Sequence, residues 1–131
     1  MRLQSVQTQE HGEIKEGVIV DASGNHSVPI RNFIPRFVAD AEYNDKFGEM
    51  WNRYRSVQID SENKLTLSAE RFYRGTGWSK EELKGLRILE AGCGAGRFTE
   101  VMLEAGAIVY SFDMSSAVDA CWRTNGPHDN L

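Results

Sequence analysis

A glycine-rich turn between an apolar run and a helical pattern constrains this chain more than any other feature. Arg87-Ile-Leu-Glu-Ala-Gly-Cys-Gly-Ala-Gly-Arg97 reads as a strand, a turn with glycine at 92, 94 and 96, and a helix start. The run from Leu86 to Ala91 is that of a strand covered on both faces. The helix from about Gly96 should turn Phe98, Val101, Met102 and Ala105 inward and Glu100 and Glu104 outward, with Gly106 as its stop. Ala107 to Phe112 is the next strand, and Asp113 stands at its end. Ser116-Ala-Val-Asp119 fits a capping box for a further helix carrying Val118, Cys121 and Trp122, broken at Gly126-Pro127. These parts make one right-handed βαβ unit with the next helix begun.

Such a turn builds a nucleotide-type site at the C-terminal ends of parallel strands. Glycine permits positive φ and lets a ligand lie against bare backbone. The unpaired N–H groups at the helix start carry a positive partial charge that suits a carboxylate. Asp113 follows Gly92 by about 20 residues, the spacing that sets an acidic group beside the turn to accept both ribose hydroxyls. Two details choose among ligands. The dinucleotide pattern G-x-G-x-x-G needs glycine where Arg97 stands, and Glu90 would repel a pyrophosphate. No P-loop pattern occurs. The Glu90 carboxylate suits a ligand with an ammonium and a sulfonium, as S-adenosylmethionine (SAM) has.

Leu89-Glu-Ala-Gly-Cys-Gly-Ala-Gly-Arg-Phe98 resembles the first motif of class I SAM-dependent methyltransferases, and Ser111-Phe-Asp-Met-Ser115 is similar to their second. The resemblance implies that the turn holds the methionine part of SAM, that Asp113 binds the ribose and that Met114 packs near the adenine. The implied cofactor-binding set is Glu90, Ala91, Gly92, Cys93, Gly94, Gly96, Asp113 and Met114. It also implies an α/β fold: a partial Rossmann-like methyltransferase fold, the first βαβ unit of a parallel sheet, preceded by a small β-hairpin and a helical leader. The corresponding divisions are 1–40, 41–85 and 86–131. Further upstream, Pro29-Ile-Arg-Asn-Phe-Ile-Pro-Arg-Phe37, Phe47-Gly-Glu-Met-Trp51 and Asp60-Ser61 resemble the leader of one branch of these enzymes. That leader begins with a zinc-ribbon-like module whose last knuckle reads C-x-x-C-G. Here the positions read Val20-Asp-Ala-Ser-Gly24, so no metal is expected, and His11 and His26 do not restore a site.

The leader reads coarsely as follows. Residues 1–12 are a polar arm or an edge strand. Glu13–Val20 and Ser27–Ile30 form a hairpin across the Ala22–Asn25 turn, with Pro29 on an edge and Ile34-Pro35 an extended break. Asp45 caps a helix bearing Phe47, Met50, Trp51 and Tyr54. Val57–Asp60 is extended and Ser61–Lys64 a loop. A helix from Ser68 to Arg74 buries Ala69, Phe72 and Tyr73 and ends at Gly75 and Gly77. Ser79-Lys-Glu-Glu82 is a capping box.

The net charge of −4, without a basic stripe, disfavours nucleic acid as a partner. Cys93 and Cys121, the only cysteines, form no CxxC pair, so a disulfide framework is not expected and a reducing cytoplasm fits. The N-terminus lacks a signal-peptide core and no apolar run reaches bilayer length, which points to a soluble, non-membrane chain. Cys93 reads as a small buried residue rather than a nucleophile, lacking a nearby basic partner. Trp51 and Tyr54 either face the ligand or pack in the core, and Tyr73 and Trp78 pose the same choice. Arg97 either meets the ligand carboxylate or pairs with Glu100 or Glu104.

In the resembling family a seven-stranded sheet of order 3-2-1-4-5-7-6 forms the domain, and this chain matches strands 1 and 2. No catalytic residue is therefore assigned, and the acceptor is expected only to be a small molecule. The reading is of the N-terminal, cofactor-binding portion of a longer methyltransferase. An unpaired strand edge is expected to drive homo-oligomer formation. The alternative is a non-catalytic SAM-binding or oligomerising module.

Overall fold

β-Branched residues alternating with charged ones give the first elements. The computed structural model describes residues 1–38, 42–126 and 128–131, with residues 42–45 by backbone alone. They fall into two units, Met1–Ala39 and Asp40–Leu131. In the first unit β1 (Arg2–Glu10), β2 (Glu13–Val20), β3 (Ser27–Arg31) and β4 (Ile34–Pro35) form one antiparallel sheet in that order. The polar N-terminal stretch is thus an edge strand. The β1–β2 turn is the dipeptide His11-Gly12, both at positive φ, as tight hairpin turns require. Val20, Val28 and Ile30 supply the buried apolar face of this unit.

The β2–β3 loop is closed by Asp21. Its carboxylate accepts the Ser23 hydroxyl at 2.9 Å and the Asn25 N–H at 3.0 Å, and its own N–H donates to the His26 carbonyl. Local side-chain bonds of this kind fix a turn. Pro29 lies on an inner strand, not the expected edge. β4 pairs only with Ile30 and Arg31, so its ladder asks no donor of Pro29, whose carbonyl accepts the Arg36 N–H at 2.8 Å.

The second unit opens with α1 (Glu42–Arg53), which begins ahead of the expected cap at Asp45. A 3₁₀ turn (Arg55–Gln58) and α2 (Asp60–Asn63) stand where an extended segment and a loop were expected. The cause is Glu100, which is buried rather than outward-facing. Its carboxylate accepts the N–H groups of Asp60 at 3.1 Å and Ser61 at 3.4 Å, together with the Ser61 hydroxyl. An anion at the N-terminus of a helical turn satisfies donors that would otherwise be orphaned. Asp60 in turn accepts the N–H groups of Ser68 at 2.9 Å and Ala69 at 3.0 Å, capping α3 (Leu67–Thr76). Gly75 lies inside that helix. Gly77, at φ +73°, ends it. The Ser79–Glu82 capping box forms as expected and starts α4 (Lys80–Leu83).

The glycine-turn segment follows as β5 (Arg87–Ala91), α5 (Arg97–Glu104), β6 (Ile108–Phe112) and α6 (Ala117–Asn125). β5 and β6 are parallel, with Leu89 opposite Tyr110 and Ala91 opposite Phe112. One face of the pair carries Ile88 and Val109 onto a core that includes Phe72, Leu83, Val101 and Met102. The other face is bare: Leu89 is 71% exposed, and Tyr110 and Phe112 are exposed as well. The expectation of a strand covered on both faces is therefore overturned, because the strand period of two sends Leu89 away from the core that holds Ile88.

The expected Ser116–Asp119 capping box does not form either. Ser116 is helical in backbone and makes no cap bond. Its hydroxyl sits where α1 passes, since a Cβ on Gly48 would lie 2.0 Å from it. Ser115 starts α6 instead, accepting the Ala117 N–H at 3.2 Å. Asn52 of α1 reaches the Ser116 carbonyl at 2.8 Å, fixing α1 against the start of α6. Pro127, the expected helix breaker, lies outside the described residues.

Candidate functional site

Parallel pairing brings the C-terminal ends of β5 and β6 side by side, and the glycine turn leaves from that edge. The Phe112 carbonyl accepts both the Gly92 N–H at 2.8 Å and the Cys93 N–H at 3.1 Å, which ties the turn to the neighbouring strand. One oxygen of Asp113 accepts the Gly94 N–H at 2.9 Å. The other accepts the Ser115 N–H at 2.8 Å and its hydroxyl at 2.7 Å. Gly96 opens α5 at φ +87°, and a Cβ there would lie 2.3 Å from the Asn125 amide nitrogen. At Gly92 and Gly94 the space a Cβ would take is open. The N–H groups of Arg97 and Phe98, at the start of α5, take no partner among the described residues.

A cavity of about 590 Å³ lies against this turn. Of the residues singled out in the sequence, Glu90, Gly92, Cys93, Gly94, Asp113 and Met114 line it. Ala91 and Gly96 do not: Ala91 lies on the exposed face of β5, and Gly96 is buried against α6. Opposite the turn's polar groups the wall includes Phe47 and Trp51 of α1. Trp51 therefore faces the cavity, whereas Tyr54 is exposed beneath the Arg53 guanidinium. Phe47 was not singled out as a site residue. Its spacing of four from Trp51, which sets both on one helix face, is the signal that could have found it.

Glu90 uses one oxygen twice, accepting the Thr99 hydroxyl at 2.5 Å and the Ser111 hydroxyl at 2.7 Å. Its other oxygen has no partner among the described residues. Arg97 makes neither expected ion pair, since Glu100 is committed to α2. Its guanidinium lies 4.7 Å over the Phe98 ring at the cavity wall. Cys93 is buried, and a hydrogen bond to Cys121, burial and the nearby Glu90 and Asp113 carboxylates push its thiol up. A thiol held neutral in this way does not serve as a nucleophile.

A family model described as a methyltransferase domain matches residues 89–131. The match supports a class I SAM-dependent methyltransferase domain over these residues. Comparison with curated proteins and with solved structures gave no match. The methyltransferase segment contains the glycine turn, Asp113 and Met114, while Glu90 lies one residue inside its start. Phe47 and Trp51 come from outside it. Among the described residues no helix is long and apolar enough to cross a membrane, and no group of three metal-ligating side chains gathers.

The methyltransferase family generally uses SAM, and the residues present fit that ligand. The volume is in the range of small-molecule sites. The free oxygen of Glu90 is an acceptor for an ammonium, and bare backbone at Gly92 and Gly94 allows close approach. Asp113 fits in a narrower sense than the sequence suggested. A carboxylate offers about four acceptor sites. The Gly94 and Ser115 bonds use three of them, so one ribose hydroxyl can be accepted while the Gly94 bond stays closed.

Proposed function

We propose that the cavity binds SAM and that the chain is the cofactor-binding portion of a SAM-dependent methyltransferase acting on a small molecule in the cytoplasm. On this reading β5, α5 and β6 are the first βαβ unit of a Rossmann-like sheet. The observation that carries it is the convergence of the unpaired Glu90 oxygen, the open glycine turn and Asp113 on one cavity within a methyltransferase-family segment. Glu90 would take the ammonium, the turn the methionine part, Asp113 a ribose hydroxyl and Met114 the adenine side. Bound SAM would supply a methyl group activated by its sulfonium. The work of the chain is then placement, since methyl transfer needs chiefly an acceptor held in line with that methyl.

Calorimetric titration with SAM and S-adenosylhomocysteine tests this. Glu90→Gln should weaken SAM about 10- to 100-fold, as expected for loss of a charge-assisted hydrogen bond. Unchanged affinity in Glu90→Gln and Asp113→Ala together would defeat the assignment.

The bare face of Leu89, Tyr110 and Phe112 favours a second reading, a non-catalytic module that assembles with copies of itself. No strand covers the outer edge of β5 among the described residues, and such an edge can pair with a second chain. Both readings allow a homo-oligomer. They part on whether a methyl group is ever transferred when SAM and candidate acceptors are supplied.

A further inference from the structure

Four aromatic side chains, Phe47, Trp51, Phe98 and Phe112, line the cavity together with two carboxylates. Phe47 and Trp51 stand one helical turn apart on α1 with their rings edge to face, centroids 6.0 Å apart. Phe47 is 48% exposed, so its ring is open to an occupant of the cavity. Trp51 is partly exposed, yet its indole nitrogen is shielded from solvent and has no hydrogen-bond partner among the described residues. What Trp51 offers a ligand is therefore ring surface, not a donor. Glu90 and Asp113 line the same cavity. Its one cationic side chain among the described residues, Arg97, is stacked on Phe98.

Aromatic faces combined with carboxylates recognise organic cations, because the ring quadrupole attracts positive charge without the tight hydration an ammonium demands. We propose that Phe47 and Trp51 form the cation-facing wall of this cavity and that they make it prefer a sulfonium ligand over its neutral thioether counterpart. This rests on the SAM reading and deepens it. When a lone pair of the acceptor bonds to the methyl carbon, the S–C bond breaks, its electron pair stays on sulfur and the positive charge of the ligand is lost. The wall would then hold the spent ligand less well than the fresh one, which favours exchange after each transfer.

The test compares SAM with S-adenosylhomocysteine by calorimetry on the whole chain carrying Trp51→Phe or Trp51→Leu. Trp51→Phe keeps a π face, while Trp51→Leu keeps an apolar side chain without one. The wild type should prefer SAM, Trp51→Phe should retain that preference, and Trp51→Leu should lose about 3- to 30-fold in SAM affinity with little change for the thioether. Equal losses for both ligands in Trp51→Leu would mean simple packing and would overturn the proposal, as would no loss for either. If neither adenosyl ligand binds the wild type, the SAM assignment fails and tetramethylammonium becomes the probe, with tert-butanol as its neutral control. Saturable tetramethylammonium binding that Trp51→Leu abolishes would uphold the aromatic wall by itself. Its absence, or equal binding of the alcohol, would sink it.

Discussion

Asp113 accepts the amide hydrogen of Gly94 at 2.9 Å, joining the end of β6 to the middle of the glycine turn. Its second oxygen holds Ser115, whose hydroxyl in turn starts α6. One carboxylate thus shapes the turn and offers the acceptor expected to meet a ribose. Asp113→Ala removes all three bonds and leaves a turn amide unpaired, at a cost of about 2 kcal/mol. Asp113→Asn keeps one carbonyl oxygen for Gly94 or Ser115. The alanine variant should unfold at lower urea and fail to bind S-adenosylhomocysteine, whereas the asparagine variant should lose affinity with a smaller loss of stability. Wild-type affinity in Asp113→Ala would contradict the ribose role.

Glu100 is the least expected structural residue, and the most easily tested. It is buried with its carboxylate closing the start of α2 through the Asp60 and Ser61 amides. Glu100→Ala strands these donors, and the expected loss is roughly 1–3 kcal/mol in urea denaturation. Glu104, exposed one turn later on the same helix, is the control. Glu104→Ala should change stability by less than about 0.5 kcal/mol. Equal effects at the two positions would refute the capping role.

Local signals read well wherever the partner lies within a few residues. The Ser79–Glu82 box and the Gly77 stop were legible on that basis, and the parallel strands flanking the glycine turn through its motif. Two of the failures share one cause, a partner distant in sequence. Nothing near residue 60 announces that Glu100 will cap it, so the segment reads as extended and looped. Ser116 fits a cap by spacing, but Gly48 of α1 brings a helix against it and Ser115 takes over. At the cavity, Glu90, Asp113, Gly92 and Gly94 were placed by the sequence because motif spacing reports backbone geometry. Trp51 read more readily as a core residue and Phe47 was not considered for the site, because their place at the cavity depends on how α1 packs on α6.

Acid should act through Asp60. Burial alone would raise its carboxyl, but the backbone donors of Ala69 and Ser68, the Ser68 hydroxyl and the Arg97 charge outweigh it and hold the group below its ordinary value of 3.8. A carboxyl lowered in the folded state contributes stability that is fully present above the unfolded value and is lost as pH falls through the folded one. The melting temperature of Asp60→Asn should therefore lie below wild type near pH 6 and converge on it toward about pH 2. A gap that stays constant through this acid range would show that the charge state of Asp60 is irrelevant.

The bare face of the parallel pair predicts a change in association without a change in fold. Leu89 is 71% exposed and touches little, so Leu89→Lys should alter stability by less than about 0.5 kcal/mol. If this face joins copies of the chain, the same substitution should lower the mass measured by light scattering across a dilution series. An unchanged mass in the combined Leu89→Lys and Tyr110→Lys variant would assign the interface elsewhere.

Two glycines of one turn should separate folding from ligand binding. Gly96 has φ +87°, and a Cβ there would lie 2.3 Å from the Asn125 side chain and 3.2 Å from the Cys121 backbone. Asn125 is itself held on the Gly96 carbonyl at 3.1 Å, so it cannot move aside freely. Gly96→Ala combines left-handed strain of about 1–2 kcal/mol with overpacking of about 1–3 kcal/mol. Gly92 also has positive φ, but no atom stands within 4 Å of its missing Cβ, and it lines the cavity. Gly92→Ala should therefore cost only the strain of about 1 kcal/mol, while its methyl stands where the ligand must approach the backbone. Thermal unfolding and calorimetry on the pair should show Gly96→Ala as the poorer folder and Gly92→Ala as a near-native fold that has lost the ligand. The reverse order would mean that the cavity at the turn is not where the ligand sits.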